Sequence, residues 1–108
     1  MSSIDVQQLL LLAGSDTSQM REIVVHFRED AIATVEDCEQ AALNGDLALC
    51  KGLIHRLKGS SGSLGFTHLY EFCLHLEQSE NLDRYRESKG SALLLIGQSV
   101  DLALEILS

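Results

Sequence analysis

The stretch LIHRLKGSSGSLGF, residues 53–66, sets one histidine, His55, beside Arg56 and Lys58 and ahead of Gly59, Gly62 and Gly65. A neutral imidazole is a nucleophile near neutral pH, because its unperturbed pKa is about 6.5. Each glycine inside a helix costs about 1 kcal/mol relative to alanine, so their density here needs a reason. On a helical wheel the apolar stripe runs through Ile54, Leu57, Ser61 and Leu64, and His55 points away from it. The positions around His55 are Ala48, Gly52, Gly59 and Gly62, with Lys51 and Lys58 on one flank. Glycines placed this way strip away the side chains that would obstruct an exposed ring, and so permit close approach by another surface. Such a ring suits attack on an anionic electrophile. A phosphoryl group carried on one ring nitrogen would then lie on the same face as Lys58, three residues on.

Charge is distributed to match. The chain carries 16 acidic residues and a net charge of −8, yet no Asp or Glu occurs from Leu47 to Tyr70, a span that holds Lys51, Arg56 and Lys58. An acid-free, weakly basic window in an acidic chain predicts a local site for something negative. The net charge argues against nucleic acid or an anionic membrane as partner.

A second candidate lies further on. If the chain reverses at Gly65-Phe66, residues equidistant from that turn stand at equal height on two antiparallel helices, and His55 and Glu77 are such a pair. A carboxylate accepting from one ring nitrogen would fix the tautomer and leave the other nitrogen free to attack. His55 faces outward while Glu77 leans toward the apolar side, so the two meet only if the later helix packs off-centre. Otherwise Glu77 is a groove residue with a solvated carboxylate.

The elements that must position these residues are helices. Leucine, alanine, glutamate and serine dominate and proline is absent. Asp5 is placed to cap a short first helix that closes at AGSD, residues 13–16. Asp16 caps a second, with Gln19 three residues later. That helix carries Met20, Val24, Phe27, Ala31, Val35, Cys38 and Ala42 at spacings of three and four. Asn44-Gly45 ends it, and Asp46 caps a third that runs to about Leu64. Gly65 marks the next turn. A fourth helix uses Phe66, Leu69, Cys73 and Leu76. The polar stretch NLDRYRESKG then leads to a last helix on Leu93, Ile96, Val100, Leu104 and Leu107. The expected fold is all-α: an antiparallel four-helix bundle with a short additional N-terminal helix, in a single domain over residues 1–108.

Other classes find little support. No uninterrupted apolar run approaches the ~20 residues that cross a bilayer, and MSSIDVQQ lacks the basic region of a secretory signal. Cys38, Cys50 and Cys73 read as buried free thiols of a reducing compartment. A metal site made from Cys73, His68 and His75 is disfavoured, since no CxxC or HxxxH spacing exists. No Gly-x-x-x-x-Gly-Lys-Ser/Thr loop is present, so autophosphorylation from ATP is not expected.

With these residues in view, HRLKGSSGSLG resembles the His-x-x-Lys-Gly signature of histidine phosphotransfer (HPt) domains, and FTHLYEFCLHLE is similar to the helix that follows it in that family. The likeness is close from His55 to Glu77; elsewhere it is one of length and helix layout. It implies that His55 accepts a phosphoryl group, on Nε2, from the aspartate of a receiver domain and passes it to another receiver. It further implies that Lys58 is the electrostatic partner of that group, that Gly59 gives the receiver clearance and that Glu77 orients the ring. Lys51, Gly52 and Gly62 would flank the docking surface. The implied partners are response-regulator receiver domains, a hybrid sensor kinase's among them. Such a protein is a phosphocarrier rather than an enzyme, a cytoplasmic monomer with no cofactor of its own, the Mg²⁺ being supplied by the receiver. The competing expectation is a helical module that docks a receiver or regulator without being phosphorylated.

Overall fold

A computed structural model describes residues 3–108. Met1 and Ser2, which begin the segment read above for a secretory signal, lie outside the described residues. Six helices follow in order: α1 (Val6–Ala13), α2 (Thr17–Leu43), α3 (Leu47–Ser63), α4 (Thr67–Leu76), α5 (Leu82–Glu87) and α6 (Lys89–Leu107). No strand occurs among the described residues.

The N-terminal caps form as the sequence predicts. Asp5, Asp16 and Asp46 each accept a hydrogen bond from the backbone N–H three residues on, at Gln8, Gln19 and Leu49. Each satisfies one of the orphan donors of a first helical turn. The α2–α3 and α3–α4 connections are three residues long, and glycines at positive φ, Gly45 at +76° and Gly65 at +77°, let them reverse the chain. Helices joined so tightly run antiparallel.

Helix α2 packs against both α3 and α6, while α4 packs against α3 and α6, which closes a four-helix ring. Its centre is filled by Val24, Ala31 and Val35 of α2, Ile54 and Leu57 of α3, Leu69 and Cys73 of α4, and Ile96 and Val100 of α6, all buried. Cys38, Cys50 and Cys73 are buried free thiols. Phe27 and Phe66 meet edge to face, with ring centroids 5.2 Å apart, the arrangement their quadrupoles favour. Helix α1 lies across the α3–α4 turn. The Asp5 N–H donates to the Gly65 carbonyl at 2.7 Å, and Gln8 Nε2 donates to the Gly62 and Ser63 carbonyls at 2.8 and 3.0 Å.

Two expectations need revision. The polar stretch from Asn81 to Gly90 is not a bare connection, because α5 forms inside it. Asn81 caps that helix by accepting from the Asp83 N–H, and Tyr85 is buried with its hydroxyl donating to the Ser79 carbonyl at 2.8 Å. In α6 the buried face runs through Ala92, Ile96, Ser99, Val100, Ala103 and Leu107, whereas Leu93 and Leu104 are only partly buried. Ile96, Val100 and Leu107 are buried as expected, and the small residues Ala92, Ser99 and Ala103 join them on that face. Helix α6 is also long and apolar enough in composition to cross a membrane; here one side of it is part of the bundle core.

Candidate phosphoacceptor site

His55 stands on α3 and Glu77 is the first residue past the last turn of α4, so the two helices deliver them to the same edge of the bundle. The His55 side chain is 71% exposed, and its Nδ1 lies 2.9 Å from Glu77 Oε2. The off-centre packing that the sequence required is met at a helix end. Glu77 has helical φ and ψ, yet it sits where α4 has finished, and its carboxylate reaches outward past the core.

The second carboxylate oxygen, Oε1, receives the ammonium of Lys58. Lys58 and Glu77 are each 17% exposed. The Lys58 ammonium, as hydrogen-bond donor, is the main influence holding the Glu77 carboxyl below its usual range; burial pushes the other way, and the His55 contact adds to the lowering. Glu77 is therefore a carboxylate, an acceptor only. A hydrogen bond to Nδ1 then requires the Nδ1–H tautomer, which leaves the Nε2 lone pair free. Among the described residues Nε2 meets no protein hydrogen-bonding group. The site is an open surface carrying one nucleophilic nitrogen.

The acid-free window proves to be acid-free in sequence only. Lys51 forms an ion pair with Glu80, in the segment after α4. Arg56 Nη2 donates to the Thr34 hydroxyl on α2 at 2.7 Å, and Thr34 in turn donates to the Asp30 carbonyl. Together with Lys58 on Glu77, this engages all three cations of the window inside the molecule. The reversal at Gly65 carries acids from beyond the window back alongside α3.

The glycines divide. A Cβ at Gly52 or Gly59 would meet nothing within 4 Å, so both leave open space beside His55. At Gly62 a Cβ would stand 3.1 Å from Cδ2 of the Tyr70 ring. Close packing of α3 and α4 is therefore by itself a reason for glycine at Gly62. Sequence reasoning missed Glu80 as the partner of Lys51 and Tyr70 as the partner of Gly62. Both pairs obey the equidistance rule that picked out His55 and Glu77, so the signal was present. Behind the site, burial pushes the Cys73 thiol up to about 12, with Glu77 adding to the shift, and burial likewise pushes Cys38 up to about 12. These thiols stay protonated. No group of three or more His, Cys, Asp or Glu among the described residues is placed to hold a metal ion.

The geometry is that of an exposed imidazole held in one tautomer, and comparison with known proteins gives it a family. The Hpt domain profile matches residues 22–105, which covers α3, α4 and most of α2 and α6. The chain belongs to the Hpt domain family, phosphotransfer modules of phosphorelays. It is 32% identical over 102 residues to multistep phosphorelay regulator 1 of Schizosaccharomyces pombe (strain 972), an alignment covering 94% of this chain. The chain spans about a third of that relative, 32% of its length. No solved structure matches the chain.

Proposed function

We propose that this chain is a phosphocarrier: His55 accepts a phosphoryl group at Nε2 from a receiver-domain aspartate and delivers it to the aspartate of a second receiver in a multistep relay. The Nδ1–Glu77 hydrogen bond carries the proposal, because it leaves one ring nitrogen anchored and the other presented to solvent on an uncrowded helix face. In acceptance the Nε2 lone pair forms the N–P bond while the aspartyl oxygen leaves as carboxylate. The ring gains positive charge as it does so, and Glu77, already ionised and in contact, stabilises that charge without rearrangement. In donation the same contact keeps Nδ1 protonated, so the ring departs from phosphorus as neutral imidazole. The receivers bring the Mg²⁺ and the acidic pocket, and this chain brings the nucleophile, its tautomer and an open approach over Gly52 and Gly59. In this role the domain acts as a cytoplasmic monomer in transient complexes, and the relative's printed name, a phosphorelay regulator, is in keeping with it.

The test is intact mass after incubation with phosphoramidate, for wild type and His55→Gln. One acid-labile phosphoryl group on wild type and none on the variant is the expected outcome. Equal modification of both, or of neither, would leave receiver docking without phosphotransfer as the account of this surface.

A further inference from the structure

The sequence places Lys58 to meet a phosphoryl group directly, but in the structure its ammonium is committed elsewhere. One carboxylate serves two donors: Lys58 Nζ on Oε1 and His55 Nδ1 on Oε2 of Glu77. Lys58 and Glu77 are sheltered to the same degree, whereas His55 is open. Glu77 follows the last turn of α4, where a long acidic side chain has up to about 2 kcal/mol of rotamer entropy to lose on being fixed. A single hydrogen bond from an exposed ring contributes only about 1 kcal/mol net, too little to hold it. An ammonium on the other oxygen supplies the second anchor, and a charge-assisted bond is about twice as strong as a neutral one.

Given His55 as acceptor, which is the reading above, we infer that Lys58 is a positioning residue that promotes phosphoryl acceptance through Glu77, by fixing the carboxylate that holds the His55 ring, and not by binding the phosphoryl group. The neighbourhood agrees with this. Lys51 is engaged by Glu80 and Arg56 by Thr34, so no other described cation of the window competes for Glu77. Cys73, one turn before Glu77, is buried and offers the carboxylate no charge.

A double-mutant cycle separates the two roles, with phosphoramidate as donor. In that reaction the Nε2 lone pair attacks phosphorus, the P–N bond breaks, and ammonia leaves from the N-protonated donor. Acceptance rates are compared for wild type, Lys58→Met, Glu77→Gln and the double variant, with helical circular dichroism to establish folding. A glutamine at 77 is neutral and has one acceptor oxygen, so it cannot receive the two donors on separate oxygens as the carboxylate does. Lys58→Met is expected to slow acceptance about tenfold in the wild-type background and by less than about twofold in the Glu77→Gln background, a coupling of at least about fivefold, equivalent to about 1 kcal/mol. Nitrogen-15 shifts of His55 supply a readout that mere folding would not move. The Nδ1–H tautomer should lose population in Lys58→Met and regain it in Lys58→Arg. Equal slowing in both backgrounds, or slowing with the tautomer unchanged, would assign Lys58 to the phosphoryl group and overturn the inference while leaving His55 as acceptor. Failure of wild type itself to accept phosphoryl would instead remove the reading on which it rests.

Discussion

Glu77 is held ionised by two donors in the folded state, and that has a consequence for stability against acid. Its carboxyl lies below the ordinary value of 4.5, with the Lys58 hydrogen bond as the leading cause. The unfolded chain therefore binds the proton more readily than the native one, and stability rises with pH across that interval. The contribution is fully present above 4.5 and is lost as pH falls through the lower native value. Glu77→Gln cannot titrate at this position. The difference in melting temperature between wild type and this variant is expected to hold between pH 6 and about pH 4.5 and to shrink as the pH is lowered further; a difference that stayed constant below 4.5 would mean that the carboxylate is not selectively held. At this scale the sequence disclosed a good deal. His55 stood out because glycines surround it, and Glu77 because antiparallel helices equalise height about a turn. The commitment of Lys58 to Glu77 was hidden, since it depends on how a four-carbon side chain lies across the seam between two helices, which spacing does not determine.

Among the elements, the turn between α3 and α4 has the least freedom. Gly65 has φ of +77°, and a Cβ there would stand 3.1 Å from the Asp5 carbonyl oxygen, 3.3 Å from Asp5 Cβ and 3.4 Å from Gln8 Cβ. Both the left-handed backbone and the docking of α1 therefore exclude a side chain. Gly65→Ala is expected to destabilise by about 2 kcal/mol from backbone strain alone, with added loss from displacement of α1. Urea denaturation followed by helical circular dichroism measures it, and a midpoint unchanged from wild type would refute it. Elements with local signatures were legible for the same reason that they are stable: the caps at Asp5, Asp16 and Asp46 and the stops at Gly45 and Gly65 act within a few residues. Helix α5 was not. It has six residues, with Leu82 and Tyr85 as its only large apolar side chains, too few to show a period. Its stability comes from burying Tyr85 in the bundle, which is tertiary information. On α6 the stripe of Ile96, Val100 and Leu107 was legible, while Ala92, Ser99 and Ala103 of the same buried face were missed, since a hydrophobic pattern gives small residues little weight.

For the molecule as a whole, stability and access to His55 pull in opposite directions, and Gly59 is where they can be told apart. It lies within α3 and is exposed, with nothing within 4 Å of a would-be Cβ. Alanine there would meet no obstacle inside the protein and should stabilise the fold by about 1 kcal/mol through helix propensity. A glycine retained at such a cost suggests that the space above it is used from outside, and it lies one turn from His55 on the face a receiver must approach. Gly59→Ala is therefore expected to melt at a higher temperature than wild type and to accept phosphoryl from phosphoramidate at the wild-type rate, because that donor is small. Transfer from a phosphorylated receiver domain should fall severalfold in the same variant, because a protein surface must close over the added methyl group. The bundle, the caps and the Glu77 contact are common to both reactions, so the split isolates the demand of the partner's surface. If receiver and phosphoramidate rates fell together, the glycine would be serving the chemistry at His55. If neither fell while stability rose, the receiver would approach His55 from the other side, over Gly52.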